Sequence, residues 1–156
     1  MTSAPKPAAR RGTPLPDAFD LLSVDPGRHT GWAAFGERTL WACGTGDPPV
    51  ERARRVVVEL PRVYPRHPVP PQDIVTLAAL AGQYVGRAAA AGASASTVSP
   101  SQWKGTMPKG VCAARVRARL SPEERAVVDA CGAPAGELHN VLDAVGIGLH
   151  ALGRFA

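Results

Sequence analysis

Three acidic residues, Asp25, Glu59 and Asp143, stand where the local sequence would leave a carboxylate at the rim of a buried element. Asp25 closes the run Phe19-Asp20-Leu21-Leu22-Ser23-Val24 and is followed at once by Pro26-Gly27. A short apolar run bounded by proline and glycine reads as a strand ending in a tight turn, and taken alone Asp-Pro-Gly is no more than that turn. Glu59 closes a second run, Val56-Val57-Val58, with Pro61 just beyond. Three consecutive valines suit a strand buried on both faces. A carboxylate buried there without a partner would cost several kcal/mol, so Glu59 belongs at the exposed strand end.

Asp143 lies in a helix expected over 138–153, in which Leu138, Val141, Leu142, Val145, Leu149 and Leu152 form one apolar stripe. At about 100° per residue, Asp143 falls beside that stripe, at the edge of whatever the helix packs on. His139 precedes it by one turn, and Asn140 is within reach at i−3. Gly146 follows by nearly one turn and lets another element come close, and His150 lies two turns on.

Carboxylates that meet repel one another unless a hard divalent cation sits between them. Two such ions, about 4 Å apart, activate a water and stabilise the leaving oxygen in phosphodiester hydrolysis. Magnesium suits that task because it takes oxygen ligands and keeps sites open for phosphate and water. Asp25 and Glu59 meet only if the first and fourth strands are parallel neighbours, an arrangement that a right-handed crossover makes reachable.

The elements that must do the positioning follow in order. Strands over 19–25, 30–35 and 39–43 form an antiparallel meander, with a turn at Gly36-Glu37. Gly44-Thr45-Gly46 lacks the third glycine and the helix of a phosphate loop. A fourth strand lies within 54–61. Residues 63–71 hold four prolines and make a loop. A helix starts near Gln72 or Asp73, after Pro70-Pro71, and runs to about 91. Its Ala78, Gly82 and Gly86 allow close approach, either by its own sheet or by a second copy. A fifth strand spans 96–98, a loop 101–110 and a helix 110–120. Ser121-Pro122-Glu123-Glu124 opens a further helix with a capping box, stopped by Cys131-Gly132-Ala133-Pro134. The class is α/β: a five-stranded mixed sheet, meander first and parallel strands after, flanked by helices.

At 156 residues the chain suits one domain, expected over 19–156, and at 45% hydrophobic it can bury a core. Residues 1–18 lack periodicity and carry Lys6, Arg10 and Arg11, which reads as a disordered basic tail and a candidate non-specific DNA contact. Net charge +5 and a pI near 9.6 favour an anionic partner. Most of the basic residues are arginines, which fork onto phosphates, although genome base bias also enriches arginine. Cys43, Cys112 and Cys131 are widely spaced, which excludes a cysteine-based zinc site and suits a reducing compartment. No apolar stretch backs the basic N-terminus, and no run is long enough to span a membrane, so a cytoplasmic location is expected.

In order, Ser-Val-Asp-Pro-Gly-x-x-x-Gly-Trp, Val-Val-Val-Glu and His-Asn-Val-Leu-Asp-Ala-Val-Gly-Ile-Gly-Leu resemble the RuvC-type Holliday junction resolvases. The likeness runs from about residue 20 to 153. It is greatest to the compact bacteriophage forms, in which a Trp-Lys-Gly…Pro-Lys segment also occurs. The resemblance implies an RNase H-like fold, Mg2+- or Mn2+-dependent nicking of four-way junctions, and a homodimer that cuts two strands symmetrically. On it, Asp25, Glu59 and Asp143 carry over as catalytic metal ligands. The chain departs from the pattern three residues before the last aspartate, where the cellular enzymes place an acid or a histidine. Here that position is Asn140, with His139 beside it. Asparagine offers a metal a neutral oxygen but cannot act as a base, so either Asn140 ligates weakly or His139 has taken the role.

For DNA, Lys104, Lys109, Arg115 and Arg119 are the expected phosphate contacts. Trp103 either stacks on a base or sugar or anchors the loop in the core. Branched DNA would be recognised through its backbone, so binding should weaken steeply with salt. The alternatives are a nuclease on forks or flaps and a catalytically silent structure-specific DNA-binding protein. An actin-like ATPase needs two lobes, which this length does not hold.

Overall fold

The computed structural model describes residues 17–66 and 68–155; the expected tail falls almost entirely outside them. Five strands, β1 (Phe19–Asp25), β2 (Gly31–Gly36), β3 (Thr39–Thr45), β4 (Ala53–Glu59) and β5 (Ser94–Val98), form one sheet in the order β3-β2-β1-β4-β5. The first three pair antiparallel as the expected meander. The other two pairings, β1 with β4 and β4 with β5, are parallel. So the two strands that end in acids are parallel neighbours, the arrangement that brings Asp25 and Glu59 to adjacent strand ends.

Both faces of this sheet are covered, which is why β1 and β4 read as nearly continuous apolar runs. Successive side chains alternate between faces. On β1, Leu21 joins one core cluster, while Leu22 and Val24 join the other. Against the first face lies α5 (Leu138–Ala151), supported by α2 (Pro100–Trp103), α3 (Lys109–Ala118) and α4 (Pro122–Asp129). The opposite face takes α1 (Pro71–Ala90) through Ala81, Tyr84 and Ala88. That is not the Ala78-Gly82-Gly86 stripe, since a Cβ at Gly82 or Gly86 would meet nothing within 4 Å.

The β2–β3 turn sits one residue later than expected. Glu37 and Arg38 both adopt left-handed backbone angles, φ 50° and 69°, the pattern of a type I′ hairpin. The Glu37 N–H donates to Asp20 Oδ2 at 2.8 Å, which helps hold a turn that two non-glycine residues enter at a cost. Gly36 is instead the last residue of β2, where a Cβ would run into the Trp41 ring. The expected loop 101–110 begins with the single turn of α2, closed by the Ser99 N–H donating to Gln102 Oε1 at 2.7 Å.

The capping box at α4 is present as read: Ser121 Oγ accepts from the Glu124 N–H at 3.1 Å, and Glu124 Oε2 accepts from the Ser121 N–H at 2.9 Å. Glu124 does more than cap. Buried, it also accepts from the Leu40 N–H at 2.9 Å and from Arg154 at 2.8 Å through each oxygen. Burial would push its carboxyl up, but these bonds outweigh it and hold the group below its ordinary value. No helix among the described residues is long and apolar enough to cross a membrane.

Candidate active site

The register of β1 on β4 pairs Val24 with Val58, so Asp25 and Glu59 are the next residues of parallel strands about 4.8 Å apart. By alternation both lie on the sheet face that α5 covers: Asp25 with Leu21 and Ser23, Glu59 with Val57. On the other side of β1, Asp25 pairs with Gly31. Gly31 lies directly under the backbone of Asn140, and a Cβ there would run into the Asn140 carbonyl. The first turn of α5 therefore rests on the strand end beside Asp25. Deeper in the same interface, Ser23 Oγ donates to the Ala144 carbonyl at 2.6 Å, next to Asp143.

The electrostatics show that the three carboxylates share one field. Asp25 is raised well above its ordinary value, first by burial, then by the charges of Glu59 and Asp143, with Lys104 and Lys109 opposing. Glu59 is raised by burial; a hydrogen bond from Trp103 and the charge of Lys104 pull it back, and Asp143 adds to the rise. Asp143 is raised by burial against the charges of Lys104, Lys109 and His139. Half-buried carboxylates in mutual repulsion are oxygen donors of the kind a hard divalent cation prefers. Among the described residues, no group of three His, Cys, Asp or Glu side chains stands arranged to hold a metal ion.

Trp103 is a core anchor, and the alternative of base stacking does not hold. Its ring is 3% exposed and packs 5.7 Å, centroid to centroid, from Phe155. The space it fills is the one Gly146 leaves on α5: a Cβ at Gly146 would sit 2.5 Å from Trp103 Cζ3. Its indole N–H is spent on Glu59 Oε2, at 2.5 Å. The Lys104 ammonium lies over the ring face, 5.0 Å from the centroid, and acts on all three carboxylates. Lys109, at the start of α3, acts on Asp25 and Asp143.

The arginines stand apart from this centre. Arg115 is exposed and donates from Nη1 to Met107 Sδ at 3.7 Å. Arg119 follows the last residue of α3, about 15 Å along the helix from Lys109. Neither is among the groups that shift the three carboxylates. His139 and Asn140 are both partly buried on the first turn of α5. Of the two, His139 is the one whose charge acts on Asp143.

Three positioning contacts escaped the sequence reading. Ser23 was open to it, because strand alternation already places residue 23 on the face of Asp25. The role of Gly31 depends on what lies above it. The third, His29 Nδ1 with Glu137 Oε1 at 2.8 Å, ties the turn after Asp25 to the residue before α5. These two are far apart in the chain, and no local pattern links them.

No family model matches the chain, and no curated protein matches it. Among solved structures, RuvC of Thermus thermophilus in complex with a Holliday junction substrate is similar, with a TM-score of 0.53 and 21% identity over 86% of this chain and 94% of that one. A second structure of Thermus thermophilus RuvC aligns with a TM-score of 0.47 and 18% identity over 86% of this chain and 96% of that one. The first likeness is one of fold: the five-stranded mixed sheet with its flanking helices is RuvC-like, of the RNase H type.

Proposed function

We propose that the chain is a divalent-metal-dependent endonuclease that nicks branched DNA, four-way junctions above all, and acts as a homodimer. One observation carries this reading: Asp25 and Glu59 end neighbouring parallel strands, and Gly31 and Ser23 seat the first turns of α5, which carry Asp143, on that same strand end. A fold neighbour solved with a Holliday junction substrate supports the choice of DNA.

In this reading Asp25, Glu59 and Asp143 hold Mg2+ or Mn2+, with the Asn140 amide oxygen as a neutral fourth donor. The cation, when bound, supplies Lewis-acid activation of the phosphodiester and of the attacking water. The chain's own residues do the rest. Lys104 and Lys109 draw a backbone phosphate to the carboxylates, which would otherwise repel it. His139, one turn before Asp143, is placed to ligate or to carry a proton. Arg115 and Arg119 extend the basic surface along α3, where backbone contacts orient DNA without reading its sequence. The outward glycines of α1 leave a smooth surface on which a second copy can pack closely, giving two sites for two strands.

The test is a panel of synthetic four-way junctions, forks and flaps with Mg2+ or Mn2+. The junction should be nicked, Asp25→Asn should abolish nicking, and junction binding in EDTA should survive that substitution. Cleavage of none of these substrates with either metal overturns the nuclease reading. Asn140, in place of an acid, favours one rival, a silent structure-specific binding protein, for which the panel would show binding without cleavage. His139→Ala beside Asn140→Ala assigns the fourth role: loss of turnover with the asparagine change alone removes histidine from it.

A further inference from the structure

We infer that Trp103 is a positioning residue that sets the Glu59 carboxylate and the seat of the Asp143 helix through one rigid ring. The activity part of its test rests on the nuclease reading above, but the contact itself does not. A glutamate at a strand end keeps its side-chain torsions free unless something holds the carboxylate plane. The Trp103 indole N–H does so, donating to Oε2 at 2.5 Å. Indole is a donor only and does not titrate, so its own hydrogen-bonding state does not change with pH. Its hydrogen bond is also one of the effects that offset the cost of burying Glu59.

The far edge of the same ring meets α5. Gly146 is one turn beyond Asp143, and a Cβ there would lie 2.5 Å from Trp103 Cζ3 and 3.2 Å from Cε3. The depth at which α5 sits on this side is therefore set by the ring, with Val116 Cγ2 beside it at 3.0 Å from the same Cβ position. Phe155 closes the ring from behind at 5.7 Å, and Lys104 is held over its face at 5.0 Å. Trp103 is itself fixed at the end of α2, whose first turn is closed by Ser99 and Gln102. A residue that supports ligands in this way costs activity without touching substrate.

Two measurements decide it. In metal-free protein the chain's three indole N–H resonances, from Trp32, Trp41 and Trp103, are assigned by Trp103→Phe, which deletes one. Glu59→Gln should move that resonance upfield and leave the others in place. An unmoved resonance overturns the proposal whether or not the protein is a nuclease. The second measurement is single-turnover nicking at saturating junction. Trp103→Phe should lower the rate by about ten- to a hundredfold, with junction affinity in EDTA unchanged. Phe is smaller than Trp, so Trp103→Phe with Gly146→Ala refills the space beside α5. That pair should recover melting temperature but not turnover, because the N–H is still missing. Turnover that returns with stability would mean the ring only packs, and the proposal would fall. If the unaltered protein nicks nothing, the nuclease reading has failed, and the resonance shift alone judges Trp103.

Discussion

Ser23 Oγ donates to the main-chain carbonyl of Ala144 at 2.6 Å, and Ser23 is wholly buried. The bond joins the strand that ends in Asp25 to the residue after Asp143. It is a directional contact in the middle of an otherwise largely apolar helix–sheet interface, where apolar contacts alone do not fix the slide of α5 along β1. In Ser23→Ala the carbonyl still has its place in the helix ladder, so the stability cost should be about 1 kcal/mol by urea denaturation. The effect on nicking should be larger, approaching a hundredfold, because a displacement near 1 Å at a reacting centre costs about that much. Single-turnover rates beside the unfolding curve check both.

The raised carboxyls of Asp25, Glu59 and Asp143 give a second expectation, whose sign follows from proton binding. The folded chain holds protons on these groups that the unfolded chain releases. Their contribution to stability is full below the ordinary carboxylate range and is lost as pH rises through the raised values. Asp25→Asn removes the most affected of them. Metal-free Asp25→Asn should therefore be more stable than the unaltered protein at neutral pH, with the advantage shrinking as pH falls to about 4. Thermal melts of both proteins across that range test it; an advantage that grows on acidification contradicts it.

A third expectation concerns Gly31. With the Asn140 backbone directly above it, Gly31→Ala forces α5 away from the end of β1. The cost should be about 1–3 kcal/mol, as for other insertions of a methyl into a closed interface. Loss of nicking should exceed what the stability change explains. Gly110→Ala is the contrast, since its Cβ meets nothing within 4 Å. That change should be neutral or stabilise by up to about 1 kcal/mol through the unfolded chain. Calorimetry on the pair separates steric crowding from any general effect of alanine.

The cysteines give a fourth. The Cys131 thiol is drawn down to about 6, chiefly by the neighbouring Cys43 thiol, while Cys43, whose Sγ faces the Val127 carbonyl at 4.0 Å, is pushed up by that pairing and by burial. Above that pH Cys131 is a thiolate, and the thiolate is the nucleophile. Iodoacetamide at neutral pH should label Cys131 first, with a rate midpoint at about 6. Cys43→Ala should move the midpoint toward the ordinary thiol value of about 8.5. Peptide mass spectrometry after timed quenching reads both.

What could be read locally was read correctly wherever one pattern dominated. The valine run before Glu59, the apolar stripe around Asp143 and the Ser121–Glu124 box each depend on neighbours within a few residues, so each was visible in the chain. The single turn of α2 was missed because the glycines and lysines after it outweigh its brief capping signal. The hairpin turn slipped by one because Gly36, the obvious turn residue, was needed under the Trp41 ring instead.

By itself, then, the sequence determined which acids end or flank their elements, since turn chemistry and periodicity act over a few residues. Tertiary structure decided that β1 and β4 lie side by side, that Gly31 seats the first turn of α5, and that Trp103 turns inward to Glu59 and not outward to solvent. Those outcomes depend on the depth at which a helix meets a sheet. That depth is set by side chains far apart in the chain competing for one volume, and no local pattern records it.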